Sequence, residues 1–376
     1  MYKNILIISS DITGHGHKSI TESLLEQFTN YPGTKTKVVE GFSLSGDLGL
    51  KAGKMYGPIT RTSKDAWKLI WDITQKKPAL ITELSELTIH DRFIKLLDDM
   101  KPDAIITTHP NYNASITNIL ERNNLQIPLF AVVADPVSIS PLWCNPHAFY
   151  TICPTVEAKE TCMKHGVPED RIRVFGFPVR QRFTKHLLNT EGSFSPGAPV
   201  IPYVPRTPLR FMIMSGGEGS GNMSRFAGIL LKNFDCTVKI LCGKNKLLKR
   251  RLEYTLLEKY KERVEILGFT ENVQDIMLTT DLIFVRASPN SMMEAVMCNV
   301  PMVITGALPG QEEGNPAFAL KYKLGVVCTE TAQLKDVVSD LLANQYEKLL
   351  AIKQSQKKYQ TLDSAKNIVN FIMSNE

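Results

Sequence analysis

Residues 5–28 read ILIISSDITGHGHKSITESLLEQF. The run Ile5 to Ser9 is branched and apolar without polar alternation, the composition of a strand covered on both faces. It breaks at a turn holding Gly14 and Gly16, then passes into SITESLLEQF, whose apolar residues recur at helical spacing. Strand, glycine turn and helix in that order open a parallel β-α-β unit. The same alternation continues outward. Strands are expected at Thr36–Val39, Ala104–Thr107, Leu129–Val133, Phe149–Ile152 and Arg173–Phe175. After a stretch ending in EGSFSPGAPVIPYVPRTP, too rich in Pro and Gly for regular structure, more are expected at Leu209–Met214, Thr237–Leu241, Val264–Leu267, Leu282–Val285, Pro301–Thr305 and Val326–Cys328. The reading is α/β, with two doubly wound domains in succession: 1–180, a linker over 181–208, and 209–350. A helical tail over 351–376 can pack back toward the first domain. A cleft between the carboxyl ends of the two sheets is the expected ligand site.

Composition agrees with two cores. The chain has 376 residues, 43% of them hydrophobic, more than the roughly 250 to 300 residues one core serves. Lys+Arg 44 against Asp+Glu 38 leaves a net charge of +6. No Lys/Arg block is long enough for a basic arm, so nucleic acid is not the expected partner. The seven cysteines form no CxxC pair and no zinc spacing, which points to reduced, buried thiols and no metal site. The N-terminus lacks the regions of a signal peptide, and no apolar run suffices to span a bilayer. A cytoplasmic protein, peripheral at the inner face of the cell membrane, is expected.

The first glycine turn fits neither phosphate-binding fingerprint: the dinucleotide pattern needs glycine where Ser19 stands, and the Walker pattern has only Gly14 and Gly16 before Lys18. Two histidines inside the turn are its unusual feature. An imidazole at a helix start suits proton removal from an alcohol near neutral pH, and His17, nearer the helix, has the better geometry. A second glycine turn, Ser215–Asn222, follows the strand Leu209–Met214 and has room for a phosphate or a sugar. Arg286-Ala287-Ser288-Pro289-Asn290-Ser291 then leads into MMEAVMCN, making an anion-binding helix start at Asn290 and Ser291, with Glu294 one turn on to grip a ribose diol. Gln311 and Glu312 lie in a Pro-Gly turn after a strand. Between Leu50 and Lys77 the chain is basic, and Trp67, Ile70 and Trp71 stand at i, i+3 and i+4, a stripe suited to an anionic headgroup layer.

Taken together, TGHGHKSITESL, VVADPVSISPLW, HGVPEDRIRVFGFPV, MSGGEGSGNM, GFTENVQDIMLTTDLIF and MMEAVMCNVPMVITGALPGQEEGN resemble the monogalactosyl- and processive glucosyl-diacylglycerol synthases of glycosyltransferase family 28. The resemblance runs to about residue 330 and is most specific at PGQEEGN. It implies a GT-B fold of two Rossmann-like domains, acceptor on the first and UDP-sugar on the second. It implies His17 and Asp135 as the catalytic residues, His17 as base or acceptor contact and Asp135 on the acceptor side, and Gly16, Gly216 and Gly217 near the diphosphate. Gly268 and Phe269 would lie beside the uracil, Glu294 on the ribose, and Gln311 and Glu312 on the sugar hydroxyls. Tyr56, Trp67, Ile70 and Trp71 fall in the membrane-associating, acceptor-binding part. Ser288-Pro289-Asn290 departs from the glycine-rich turn common before the Glu-bearing helix, and asparagine's tolerance of positive φ is what would preserve that turn.

The activity expected is inverting hexosyl transfer from a UDP-sugar to a lipid hydroxyl, most naturally diacylglycerol, with no cofactor and no metal, since the chain has no Asp-x-Asp. Another hydrophobic molecule can serve as acceptor. The rivals are a UDP-sugar 2-epimerase, which needs no acceptor, and a silent homologue that binds UDP-sugar or lipid without turnover.

Overall fold

The computed structural model describes residues 2–188, 207–214 and 222–375. The chain divides into two compact units. The first takes in the chain to Arg180 together with Pro309–Gly314 and the segment from Asp363 onward; the second holds Gln181–Leu308 and Asn315–Leu362.

The first unit contains β1 (Asn4–Ser9), β2 (Lys35–Glu40), β3 (Ala104–Thr107), β4 (Leu129–Val132), β5 (Tyr150–Cys153) and β6 (Ile172–Val174). They form one parallel sheet in the order β2-β1-β3-β4-β5-β6. The second contains β7 (Leu209–Met214), β8 (Cys236–Leu241), β9 (Val264–Leu267), β10 (Leu282–Val285), β11 (Met302–Ile304) and β12 (Gly325–Val327), in the order β12-β11-β10-β7-β8-β9. Each strand lies within one residue of its expected ends. The reason is chemical: β3, β4 and β10 are buried at every position, so nothing but continuous apolar sequence can fill them.

Both sheets reverse direction beside their first strand, at β1/β3 and at β7/β10. There the connections leave on opposite sides, and the carboxyl ends of the strands stand open. The helices used below are α1 (His15–Phe28), α2 (Gly46–Thr62), α3 (Lys64–Lys76), α4 (Pro78–Met100), α5 (Pro289–Met297), α6 (Leu334–Tyr359) and α7 (Ser364–Ser374). Helix α3 begins where the Ser63 hydroxyl accepts from the Ala66 amide, carries Asp65 in its first turn and Lys76 in its last, and ends where Pro78 starts α4. Helix α7 closes the first unit: Tyr31 Oη donates to Asn370 at 2.8 Å, and Phe371 packs edge-on against Tyr150.

Leu6, Ile8, Phe93, Ile105, Ile116 and Ala131 centre the first core. Phe211, Ile213, Leu230, Val238, Phe284 and Val338 centre the second. No helix among the described residues is long and apolar enough to cross a membrane. All seven cysteines are free thiols.

The second sheet is pinned at the amino ends of its central pair. Asp281, 1% exposed, accepts from the Arg210 amide at 2.8 Å and from its guanidinium at 3.0 and 3.3 Å. Removing this carboxylate strands a partly buried guanidinium and an amide. Asp281→Ala is expected to cost about 3 kcal/mol, read as a lower urea midpoint at unchanged slope. A midpoint equal to wild type would show that the pair is dispensable.

Candidate functional site

The first turn resolves into Asp11–Gly14, with Gly14 at φ +89° capping α1. His15, Gly16 and His17 therefore stand in the helix's first turn, where amides lack intrahelical partners, rather than in the loop before it. Tyr56 lies against Gly14: a Cβ there would sit 3.3 Å from its ring. Beneath this turn the hydroxyls of Ser9, Thr21 and Thr108 lie 2.7 to 3.0 Å from one another, tying α1 to the ends of β1 and β3.

His17 Nδ1 is 2.5 Å from the Thr108 carbonyl oxygen. A carbonyl only accepts, so Nδ1 carries the proton and Nε2 keeps its lone pair. The His109 ring stands 4.5 Å away between centroids, Trp143 is at 6.2 Å, and Phe42 and Tyr112 each pack against His109 at 5.4 Å. His109 is buried and His17 half-buried, and desolvation lowers the His17 pKa to about 4, the carbonyl contact opposing only in part. His109 is held well below the ordinary histidine range, by burial first and its neighbour His17 second. At neutral pH both rings are uncharged, and His17 Nε2 is a base.

Asp135 follows β4 and is 4% exposed. Trp143 Nε1 donates to it at 2.8 Å, and the Gln311 side chain forms a second hydrogen bond. Burial raises its pKa to about 6; the two hydrogen bonds hold it down, and the buried Glu312 carboxylate pushes it up. Gln311 Oε1 is buried and has no hydrogen-bond partner among the described residues. It is an acceptor prepared for a hydroxyl. Although Gln311 and Glu312 follow β11 in sequence, Pro309–Gly314 belongs to the first unit, where the Gly314 amide donates to Ser138 Oγ at 3.0 Å.

The tryptophan stripe requires a correction. Trp67 packs edge-on against Tyr56 at 5.0 Å, and Trp71 packs against Gly310, so both rings face the protein. Ile70 joins Leu69 and Ile73 on the exposed face. At 100° per residue Ile73 lies roughly 200° around the helix from Trp71, so one helix presents two apolar faces. A spacing of i, i+3, i+4 allows one face, but Leu69 and Ile73 define another, and the protein takes the larger rings.

In the second unit, β10 leads through Arg286 and Ser288 into α5. Pro289 occupies its first turn, and no residue from 286 to 291 has positive φ, so the left-handed turn expected of Asn290 is absent. Ser288 Oγ donates to Ser291 Oγ at 2.9 Å, and Ser291 and Glu294 are buried on the same side of the helix. Gly268 and Phe269 follow β9 at the same end of the sheet, three strands from β10, roughly 14 Å. Phe269 is 54% exposed with Lys244 Nζ 5.9 Å from its ring centre. Gly216 and Gly217 lie outside the described residues.

Sequence reasoning missed Trp143, His109 and Thr108. The positions directly after β3 at the sheet's reversal were the available signal for the last two. For Trp143 it was the one tryptophan outside the basic segment.

Residues 17–179 match the family model of monogalactosyldiacylglycerol (MGDG) synthase, and residues 225–370 match the glycosyltransferase family 28 C-terminal domain. Among curated proteins, monogalactosyldiacylglycerol synthase 3 of Arabidopsis thaliana is 25% identical, over 98% of this chain and 81% of its own length. The Spinacia oleracea synthase is 24% identical over 98% and 72%. Among solved structures, Acinetobacter baumannii MurG superposes with TM-score 0.63 at 14% identity, covering 99% of each chain. The UDP-GlcNAc 2-epimerase of Neisseria meningitidis gives TM-score 0.61 at 14% identity, covering 99% and 100%. These structural likenesses establish the GT-B fold.

The raised Asp135 pKa has a measurable consequence. The neutral acid favours the fold at low pH, and that contribution is lost as pH rises from the ordinary carboxylate range through about 6. Asp135→Asn, neutral throughout, is expected to match wild type in Tm below about pH 4 and exceed it at pH 8. A Tm difference independent of pH would refute the buried, ionising role.

Proposed function

We propose that this chain, which belongs to glycosyltransferase family 28 and is a UDP-sugar-dependent glycosyltransferase, moves a hexose to the hydroxyl of diacylglycerol with inversion and without a metal ion. The observation that carries the reading is His17, whose Nδ1–H is tied to a backbone carbonyl and whose Nε2 is an uncharged base among packed aromatic rings. As the acceptor oxygen attacks the anomeric carbon, its proton passes to Nε2 and the bond from that carbon to the β-phosphate oxygen breaks. UDP departs with the electron pair. Backbone amides at the start of α5, beside Ser291, offset its charge, and Glu294 holds the ribose. Phe269, exposed after β9, is the residue we place beside the uracil. Gln311 Oε1 and the Asp135–Glu312 carboxyls receive substrate hydroxyls, which a desolvated site distinguishes strongly.

Diacylglycerol is favoured because the first domain matches the model named for monogalactosyldiacylglycerol synthase, as are the Arabidopsis and spinach relatives. The surface favours a lipid setting. Leu48 and Met55 on α2, Leu69, Ile70 and Ile73 on α3, and Leu80, Leu84 and Leu87 on α4 are exposed on consecutive helices, among Lys51, Lys54, Lys64, Lys76 and Lys77. Apolar side chains in that number, interspersed along the chain with exposed lysines, fit an anionic membrane, and we place the protein as peripheral at its cytoplasmic face.

UDP release should be measured with UDP-glucose, UDP-galactose and UDP-N-acetylglucosamine, with and without diacylglycerol in phosphatidylglycerol vesicles, followed by product mass. Release should require diacylglycerol and add one hexose to it. Release without acceptor would favour an epimerase, and UDP-sugar binding without release a silent homologue. His17→Ala should lower kcat at least about 100-fold while UDP affinity stays within about twofold. Near-normal turnover in that variant would remove His17 as the base.

A further inference from the structure

Helix α3 has no buried residue, yet its two faces meet different things. Leu69, Ile70 and Ile73 point to solvent. On the opposite face, Trp71 is seated on Gly310, one residue before Gln311. A Cβ on Gly310 would lie 2.2 Å from Trp71 Cδ1 and 2.6 Å from Cγ and Nε1, and Gly310 is at φ +78°, so no other residue fits both the ring and the backbone. Lys68, paired with Asp72 at 2.7 Å, also feels the Glu313 carboxylate of the same loop. The helix further touches the turn Pro141–Trp143, which carries the indole bonded to Asp135. The Gly310 end of the Gln311–Glu312 loop is thus covered by a helix whose other face is bare apolar surface, while Ser138 and Asp135 hold the loop further on.

We propose that Trp71 is a positioning residue for the Gln311–Glu312 loop, through which seating α3 on a lipid surface tightens the hold on the donor's hexose. The proposal rests on the family 28 reading above, with Gln311 and Glu312 on the sugar. Without lipid, α3 has little apolar burial of its own to hold it, and the Gly310 end of the loop, which Trp71 covers, follows its motion. With Leu69, Ile70 and Ile73 in the headgroup layer, α3 is held, Trp71 holds Gly310, and Gln311 Oε1 stays where a sugar hydroxyl meets it. Coupling of this kind is reciprocal: lipid and UDP-hexose raise each other's affinity by the same factor.

The test uses the full chain and vesicles of phosphatidylglycerol without acceptor. Calorimetry gives the Kd of UDP-galactose, UDP-glucose and UDP with and without vesicles, and sedimentation gives vesicle affinity with and without each nucleotide. In wild type, vesicles should tighten the better UDP-hexose at least threefold and UDP by less than 1.5-fold, with the reciprocal gain in vesicle affinity. Trp71→Ala should sediment with vesicles as wild type does but lose the shift, and Trp71→Phe should restore part of it. A wild-type UDP-hexose Kd indifferent to vesicles overturns the proposal without any variant. So does a shift equal for UDP and UDP-hexose, which would bypass the sugar loop, or a full shift in Trp71→Ala. Failure of both UDP-hexoses to bind under any condition would instead overturn the donor reading itself.

Discussion

The hydrogen bond from His17 to the Thr108 carbonyl sets the terms for the rest of the first unit. It exists because β1 and β3 are neighbours, with Ile8 opposite Thr107 and the Thr108 amide bonded to the Ile8 carbonyl. The strand order sends α1 toward β2 and the chain after β3 the other way, so the two carboxyl ends lie side by side with nothing laid across them. A shift of one residue in the register would replace the carbonyl by a side chain and release the tautomer. Buried hydroxyls of Ser9, Thr21 and Thr108 lock that register from below. The base is thus a property of the sheet as much as of the imidazole.

Burial does the same work on the acid side with opposite sign. Imidazole loses its charge when water is removed, and a carboxyl keeps its proton. His17 and Asp135, linked through Trp143, are therefore both driven toward neutrality: His17 keeps its Nε2 lone pair free at neutral pH, and Asp135 becomes a donor at mildly acid pH. Two hydrogen bonds keep Asp135 from moving further. An apolar wall with few polar groups makes each of those groups consequential.

Much of this was legible beforehand. Continuous apolar strands announce themselves because a sheet covered by helices accepts little else, and twelve strands were placed within a residue of their ends. His17 was legible from its place at a strand-to-helix turn. Trp67 and Trp71 were not, because helical spacing reports that residues share a face without saying what that face meets. At Asn290 the backbone takes another route than the one its tolerance of positive φ would allow: a Pro at the helix start supplies the turn without left-handed backbone.

The amino-acid sequence by itself determined the two α/β domains, the order of strand and helix, and the residue types at the strand ends. Those follow from local patterns of burial and turn chemistry, which repeat over a few residues. Only the tertiary structure decided that His109 and Thr108 flank His17, that Asp135 shares a hydrogen bond with Gln311 from 176 positions later, and that Pro309–Gly314 belongs with the first unit. Such pairings depend on which strands are neighbours and which loop finds a glycine-sized gap beneath Trp71. No local pattern encodes them, because their partners are distant in the chain and are chosen by packing.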